Sequence, residues 1–313
     1  MKRDFLRISD LKKEEIYKIF DITKNFKKLK KEKKFTDHLK NLEIALLFYK
    51  PSTRTRISFE LAIYELGGFP IYLSSQSTQI SRGESLKDTA KVISRYVDGI
   101  IIRTYSQEEL EEFAKYAEIP VINALTDLYH PVQILCDFFT IYEKKKILED
   151  LKITYIGDGN NVCNSLIEGC DLLGIEIRVV CPLEYMPDER VIKNLRNKNV
   201  LKISSNPYEF IEDADIIYTD TWVSMGQDNE REKRLKIFQK YQVNEELLKK
   251  AKKDFLFMHC LPAHRGEEVT DEVIDGPNSI VYDQAENRLH CQKSLLAFLF
   301  SEPGSERKGE EWE

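Results

Sequence analysis

The chain reads as an α/β protein of two doubly wound domains, each a mostly parallel sheet flanked by helices, the two joined by interdomain helices. Short apolar runs of strand length alternate with longer amphipathic stretches along the whole sequence. Strand–helix alternation of this kind makes parallel sheets with right-handed crossovers. One segment that is apolar on every face divides the alternation into two series, and 313 residues suit two domains of about 100–200 residues each.

In the first half, strands are expected at 44–49, 70–73, 99–103 and 120–123, with helices at 58–66, 86–96 and 108–117. Second-half strands fall at 152–156, 175–181, 201–204, 215–219 and 255–258, with helices at 162–173 and 245–252. The dividing segment is 131–146, where Val132, Ile134, Leu135, Cys136, Phe138, Phe139 and Ile141 leave no polar face at first. A helix apolar all round is buried on all sides, as an interdomain helix is. The first domain is therefore expected at 1–135 and the second at 148–288. The apolar run 295–300 marks a terminal helix, about 290–313, expected to pack back on the first domain. Seven lysines crowd 24–34, but Phe26 and Leu29 lie three apart within that run, which reads as a solvated helix face. The polar stretch 301–313 is expected to fray.

Composition narrows the function. Lys and Arg total 47 against 53 Asp and Glu, a formal charge of −6, with 42% hydrophobic residues. That supports a sizeable core and disfavours nucleic-acid or anionic-membrane partners. No apolar run reaches membrane-spanning length, and the opening MKRDFLRISDLKKEEI lacks the pattern of a signal or transit peptide. Six cysteines without a C-x-x-C pair read as reduced thiols, several of them buried, and the expected location is cytoplasmic.

Ligands of open parallel sheets bind beyond the carboxyl ends of the strands. After the first strand comes Lys50-Pro51-Ser52-Thr53-Arg54-Thr55-Arg56, before a helix from about Ile57. Hydroxyls, backbone N–H groups and two arginines at a helix start favour an anion. That anion is not read as a nucleotide, because no G-x-x-x-x-G-K-[ST] occurs. Arg103 ends the third strand, and His130-Pro131-Val132-Gln133 opens a helix after the fourth. Pro131 suits the first helical position; His130 fits a ligand contact and a satisfied cap equally.

In the second half, Gly157-Asp158-Gly159-Asn160-Asn161-Val162 follows a strand. It is a partial dinucleotide fingerprint, with Val162 where the third glycine belongs; Asn160 and Asn161 offer amides to a zwitterion instead. Asp220-Thr221-Trp222-Val223-Ser224-Met225-Gly226 places a carboxylate beside a glycine-containing loop, a pairing suited to an ammonium and a carboxylate. His259-Cys260-Leu261-Pro262-Ala263-His264 suggests zinc, but no companion motif completes four ligands. Cys260 as a thiolate nucleophile lacks an accompanying elbow motif, leaving it as a polarisable contact to substrate.

Taken in order, Ser52-Thr53-Arg54-Thr55-Arg56, His130-Pro131-Val132-Gln133, Gly157-Asp158-Gly159-Asn160-Asn161, Asp220 with Ser224-Met225-Gly226, and His259-Cys260-Leu261-Pro262 resemble the aspartate/ornithine carbamoyltransferase family. The likeness runs from the first strand to Arg288. Aspartate-using members carry His-Pro-Leu-Pro-Arg where this chain reads His259-Cys260-Leu261-Pro262-Ala263, and lack the Ser-Met-Gly loop. Relatives using acetylated ornithine also differ in that loop, so the resemblance points to the branch using free ornithine.

The resemblance implies carbamoyl transfer from carbamoyl phosphate to the δ-amine of L-ornithine, giving citrulline in arginine metabolism. It implies no cofactor and no metal, and a homotrimer or multiple of trimers. A carbamoyl phosphate domain comes first and an ornithine domain second. Carried over residue by residue, Ser52, Thr53, Arg54, Thr55, Gln79, Arg103, His130, Gln133, Cys260, Leu261 and Arg288 contact carbamoyl phosphate. Asn161, Asp220, Ser224 and Met225 hold ornithine, and Arg54, Arg103, His130 and Cys260 are the catalytic set. Three alternatives remain: another amine such as putrescine, an NAD-dependent Rossmann-type enzyme, and a regulatory subunit retaining the fold.

Overall fold

A computed structural model of the chain describes residues 2–74, 83–224 and 226–300. Contacts divide it into two compact units, Met1–Cys136 with Asn287–Glu313, and Asp137–Glu286. The sequence ends the second domain at 288; the contacts end it at Glu286 and give Arg288 to the first unit.

The first unit runs α1 (Lys13–Lys31), β1 (Glu43–Phe48), α2 (Thr53–Glu65), β2 (Phe69–Ser74), α3 (Leu86–Ile93), β3 (Gly99–Arg103), α4 (Gln107–Tyr116), β4 (Val121–Leu125) and the start of α5 (Pro131–Lys145). Its sheet has the order β2-β1-β3-β4, parallel throughout. Strand side chains such as Ala45, Leu47, Ile100, Ile102 and Val121 pack with Leu110 and Phe113 of α4 in one core. In the lysine-rich run Phe26 is buried on α1, so that segment is a helix face.

The second unit contains β5 (Lys152–Ile156), α6 (Asn161–Leu173), β6 (Glu176–Val180), α7 (Glu189–Lys193), β7 (Leu201–Ser204), β8 (Ile216–Thr219), α8 (Arg231–Phe238), α9 (Glu245–Leu248), β9 (Leu256–His259), α10 (Asp271–Ile274) and the start of α11 (Val281–Phe300). Its sheet order is β7-β6-β5-β8-β9, again parallel. Trp222, Phe238, Tyr241 and Phe257 anchor its core.

Each sheet reverses its winding once. In the first, β1 is flanked by β2 and β3; in the second, β5 is flanked by β6 and β8. The crevice outside the carboxyl ends at such a switch point is where ligands bind in open α/β sheets. The loops there are those after β1 and β3, and those after β5 and β8.

The helices α3 and α9 end at Ile93 and Leu248, short of the expected bounds, α7, α8 and α10 have no counterpart in the sequence reading, and two helix starts differ from expectation. The second helix begins at Thr53, not near Ile57, because Ser52 adopts extended backbone and caps it. The last helix begins at Val281, well before the apolar run at 295–300. The interdomain segment is helical as read, and its Val132, Ile134, Leu135, Cys136, Phe138, Phe139 and Ile141 are all buried. No helix among the described residues is long and apolar enough to cross a membrane.

Candidate active site

In the first unit the Ser52 hydroxyl accepts the Thr55 N–H at 3.3 Å, which draws the chain after β1 into the first turn of α2. Thr53, Arg54, Thr55 and Arg56 therefore sit where the helix dipole is positive and backbone N–H groups lack intrahelical acceptors. Thr53 and Arg54 are exposed, whereas Thr55 is buried. Arg56 serves elsewhere: it donates to Glu60 at 3.0 Å and lies 3.5 Å over the Tyr72 ring. Arg56, which the sequence reading counted with Arg54 towards an anion, is thus engaged within its own unit.

Thr55 has a partner in α11. Arg288 donates from Nη2 to the Thr55 hydroxyl at 3.0 Å and from Nη1 to the Gln133 side-chain Oε1. Its Nε has no hydrogen-bond partner among the described residues. Arg288, Gln133, Thr55, His130 and Arg103 are all buried. Burial drives the His130 pKa well below the ordinary histidine value, and the Arg288 and Arg103 guanidiniums push it further in the same direction. His130 is therefore a neutral imidazole with one N–H to donate. A buried guanidinium bonded only to neutral oxygens is stabilised by an anion placed beside it.

In the second unit, Asn160 caps α6: its Oδ1 accepts the N–H groups of Val162 at 3.0 Å and Cys163 at 3.1 Å. Its Nδ2 donates to Asp220 Oδ2 at 2.8 Å. The amide offered by the sequence to a ligand is thus occupied in fixing Asp220 just beyond β8. The other Asp220 oxygen accepts from the Cys260 thiol at 3.1 Å, which brings the ends of β5, β8 and β9 to one point. Ser224 lies in the loop after β8, its N–H donating to Gln227 Oε1 at 3.1 Å. Asn161 opens α6. Gln79 and Met225 fall outside the described residues.

Two supporting residues escaped the sequence reading. Arg234 of α8 ion-pairs with Asp158 and donates to the Trp222 carbonyl at 2.6 Å, tying the loops after β5 and β8 together. Burial pushes the Asp158 carboxyl up to about 7 despite that partner. Asp158 lay within the fingerprint-like motif, but Arg234 sits in a charged run that carries no signal.

The same loop bears on the dinucleotide alternative. The second glycine of a true fingerprint lets the cofactor pyrophosphate approach the backbone. Here a Cβ on Gly159 would stand 2.3 Å from the Pro187 nitrogen and 2.4 Å from the Met186 carbonyl carbon. The glycine accommodates protein backbone, and that approach is taken. The zinc-like cluster is also engaged. Asp220, His259 and Cys260 bring ligand-type atoms within 4.8 Å of one another. His259 Nε2 faces Glu268 at 3.1 Å and its Nδ1 accepts the Leu261 N–H at 2.9 Å.

Residues 3–143 match the carbamoyl-P binding domain, and 149–299 the Asp/Orn binding domain, of aspartate/ornithine carbamoyltransferase. The chain belongs to the aspartate/ornithine carbamoyltransferase family. An ornithine carbamoyltransferase of Caldicellulosiruptor saccharolyticus is 53% identical over 302 residues, covering 95% of this chain and 98% of that one. An enzyme of Pyrococcus furiosus named ornithine carbamoyltransferase, anabolic, is 50% identical over 302 residues, covering 95% and 96%. The solved structure of ornithine carbamoyltransferase from Pyrococcus furiosus superposes with a TM-score of 0.90 at 51% identity, again covering 95% and 96%. In this carbamoyltransferase fold the anion-suited residues lie in the part matching the carbamoyl-P model, Arg288 excepted, and Asp220 and Cys260 lie in the part matching the Asp/Orn model.

Proposed function

We propose that the chain transfers the carbamoyl group of carbamoyl phosphate to the δ-amine of L-ornithine, releasing L-citrulline and phosphate. The observation that carries this is the buried Arg288, bonded to Thr55 and Gln133 and standing beside Arg103 and a neutral His130. Such a set suits an acyl phosphate, a phosphate group joined to a polarisable carbonyl. Ser52, Thr53, Arg54 and Thr55 hold the phosphate at the start of α2, with Gln79 contributing from its loop. Arg103, His130, Gln133 and Arg288 hold the phosphate and carbonyl oxygens.

Asn161, Asp220, Ser224 and Met225 hold ornithine. The Asp220 carboxylate takes the α-ammonium and the loop from Ser224 to Gly226 takes the α-carboxylate, two groups that putrescine lacks. Cys260 and the Leu261 carbonyl line the reacting centre, contacting carbamoyl phosphate and orienting the δ-amine. Residues 1–135 form the carbamoyl phosphate domain and 148–286 the ornithine domain, with Arg288 serving the first.

The amine attacks the carbonyl carbon, the C–N bond forms, and the C–O bond to phosphate breaks from a tetrahedral intermediate. An alkylamine has a pKa of roughly 10.4, so presenting it neutral at pH 7 costs about 4–5 kcal/mol. Guanidinium charges and partial desolvation both disfavour the ammonium and offset that cost. Negative charge growing on the carbonyl oxygen and phosphate is met by Arg54, Arg103 and the His130 N–H. The departing phosphate accepts the amine's proton. These steps use only substrate and side-chain groups. A citrulline assay with the two substrates tests the reading.

The finer assignments follow the same line: a cytoplasmic enzyme running in the synthetic direction and assembled as a homotrimer. The α2 face supports assembly, since Ile57, Leu61 and Tyr64 are exposed four and three residues apart, with Phe35 packed edge-on against Tyr64. The other face of α2, with Phe59, Ala62 and Ile63, is already buried, and a second apolar stripe left on the solvent side marks an association surface. Sedimentation equilibrium should give a mass about three times that of the chain or a multiple of it; a monomer mass contradicts the assignment.

A further inference from the structure

We propose that His259 and Glu268 are positioning residues which fix the Cys260–Leu261 corner against the reacting amine. The proposal rests on the carbamoyl transfer argued above and extends it to two side chains outside the substrate-contacting set.

Leu261 has a φ of +57°. For a residue with a Cβ that left-handed conformation is unfavourable, and it persists only where the surroundings hold it. The holding group is His259. Its Nδ1 faces the Leu261 N–H at 2.9 Å, and because an N–H can only donate, Nδ1 is the unprotonated, accepting nitrogen. The proton therefore sits on Nε2, which donates to Glu268 Oε1 at 3.1 Å. That second bond selects the tautomer, as a hydrogen bond at one ring nitrogen defines the role of the other.

Glu268 does more than orient the ring. The same Oε1 accepts the His264 N–H at 2.6 Å, so one carboxylate oxygen grips the chain on both sides of residues 260–263. Both His259 and Glu268 are fully buried. The His259 backbone N–H is fixed too, donating to Gln284 Oε1 at 3.0 Å. Gln284 in turn donates to Asp137 at 2.8 Å, and Tyr218 donates to the other Asp137 oxygen at 2.8 Å. Both ring nitrogens and the backbone N–H of His259 are thus engaged, and what it holds is the turn that carries the Cys260 thiol towards Asp220. Buried groups that orient a reacting constellation act through displacement: a shift of about 1 Å at such a site can cost a hundredfold in rate.

The variants that separate this role from simple packing are His259→Asn and His259→Gln. An asparagine carbonyl falls near the Nδ1 position and can still accept the Leu261 N–H; a glutamine carbonyl extends towards Nε2 and cannot. Both delete the ring. The expected result for H259N is a kcat within about fivefold of the parent. For H259Q and Glu268→Leu, kcat falls at least about fiftyfold. The KM for carbamoyl phosphate changes far less than kcat in all three, since Cys260 and Leu261 are two of its many contacts, and H259N and H259Q melt together.

Equal kcat for H259N and H259Q, or losses that follow melting temperature, overturn the proposal. Nitrogen-15 spectra of histidine-labelled full chain test it without catalysis. A single Nε2–H tautomer at His259, lost in Glu268→Leu, supports it; a tautomer unchanged in that variant overturns it. Absence of citrulline from the unsubstituted enzyme overturns the carbamoyl-transfer reading, while the tautomer result still decides the His259–Glu268 pairing.

Discussion

Replacing Arg54 by glycine lowers kcat at saturating substrates at least about a hundredfold, because removing one donor aimed at developing negative charge costs about 3–4 kcal/mol. Arg54 occupies the first turn of α2 and is exposed, so its loss leaves the core intact. Glycine within a helix destabilises by about 1 kcal/mol relative to alanine, and Arg54→Ala separates that effect from the lost charge. Steady-state rates of both variants, read beside their melting curves, make the check. Turnover near normal in either one removes Arg54 from the phosphate and carbonyl contacts.

The second large effect is at Asp220. Changing it to asparagine weakens ornithine binding about tenfold to a hundredfold, the scale of a hydrogen bond to a charged group. Carbamoyl phosphate binding is little altered. The substitution keeps one acceptor oxygen, yet two donors now reach this carboxylate, Asn160 Nδ2 and the Cys260 thiol. One of them loses its acceptor, and kcat is expected to fall with affinity. Separate KM measurements for the two substrates decide the matter. Equal losses for both contradict the division of the substrates between the two domains.

The strands were legible because each is a short run of branched or aromatic apolar residues ending in a turn or a polar residue. Helix ends were harder. Thr53-Arg54-Thr55-Arg56 has no apolar period, and the start of α2 is set by a single hydroxyl, that of Ser52. The start of α11 was invisible for a different reason. Gln284, Asn287, Arg288, His290, Gln292, Lys293 and Ser294 are all buried there, and a search for apolar periodicity passes over buried polar groups. Pairing stabilises the burial of two of them: Lys293 donates to Glu65 at 2.9 Å and Ser294 meets Thr23 at 2.9 Å.

The carboxyl-end rule alone singled out Ser52, Arg54, Arg103, His130, Asp220 and Cys260, the strand-end members of the proposed site. Arg288 came only from the resemblance, since nothing in its helical surroundings marks it. Asn160 was misread, because a side chain beside a ligand loop and a side chain capping a helix look alike in sequence. His259 drew attention as a metal ligand, whereas its partner Glu268 lies nine residues on in a polar loop and becomes meaningful only through contact.

The most direct test of the central claim is a citrulline-type assay of the full chain with carbamoyl phosphate and four amines: L-ornithine, putrescine, L-aspartate and N-acetylornithine. The account predicts rapid carbamoylation of ornithine. Putrescine should be at least about a hundredfold slower in kcat/KM for want of the α-ammonium and α-carboxylate contacts, with aspartate and acetylornithine near background. Preference for any of the other three, or no carbamoyl transfer to ornithine, contradicts it.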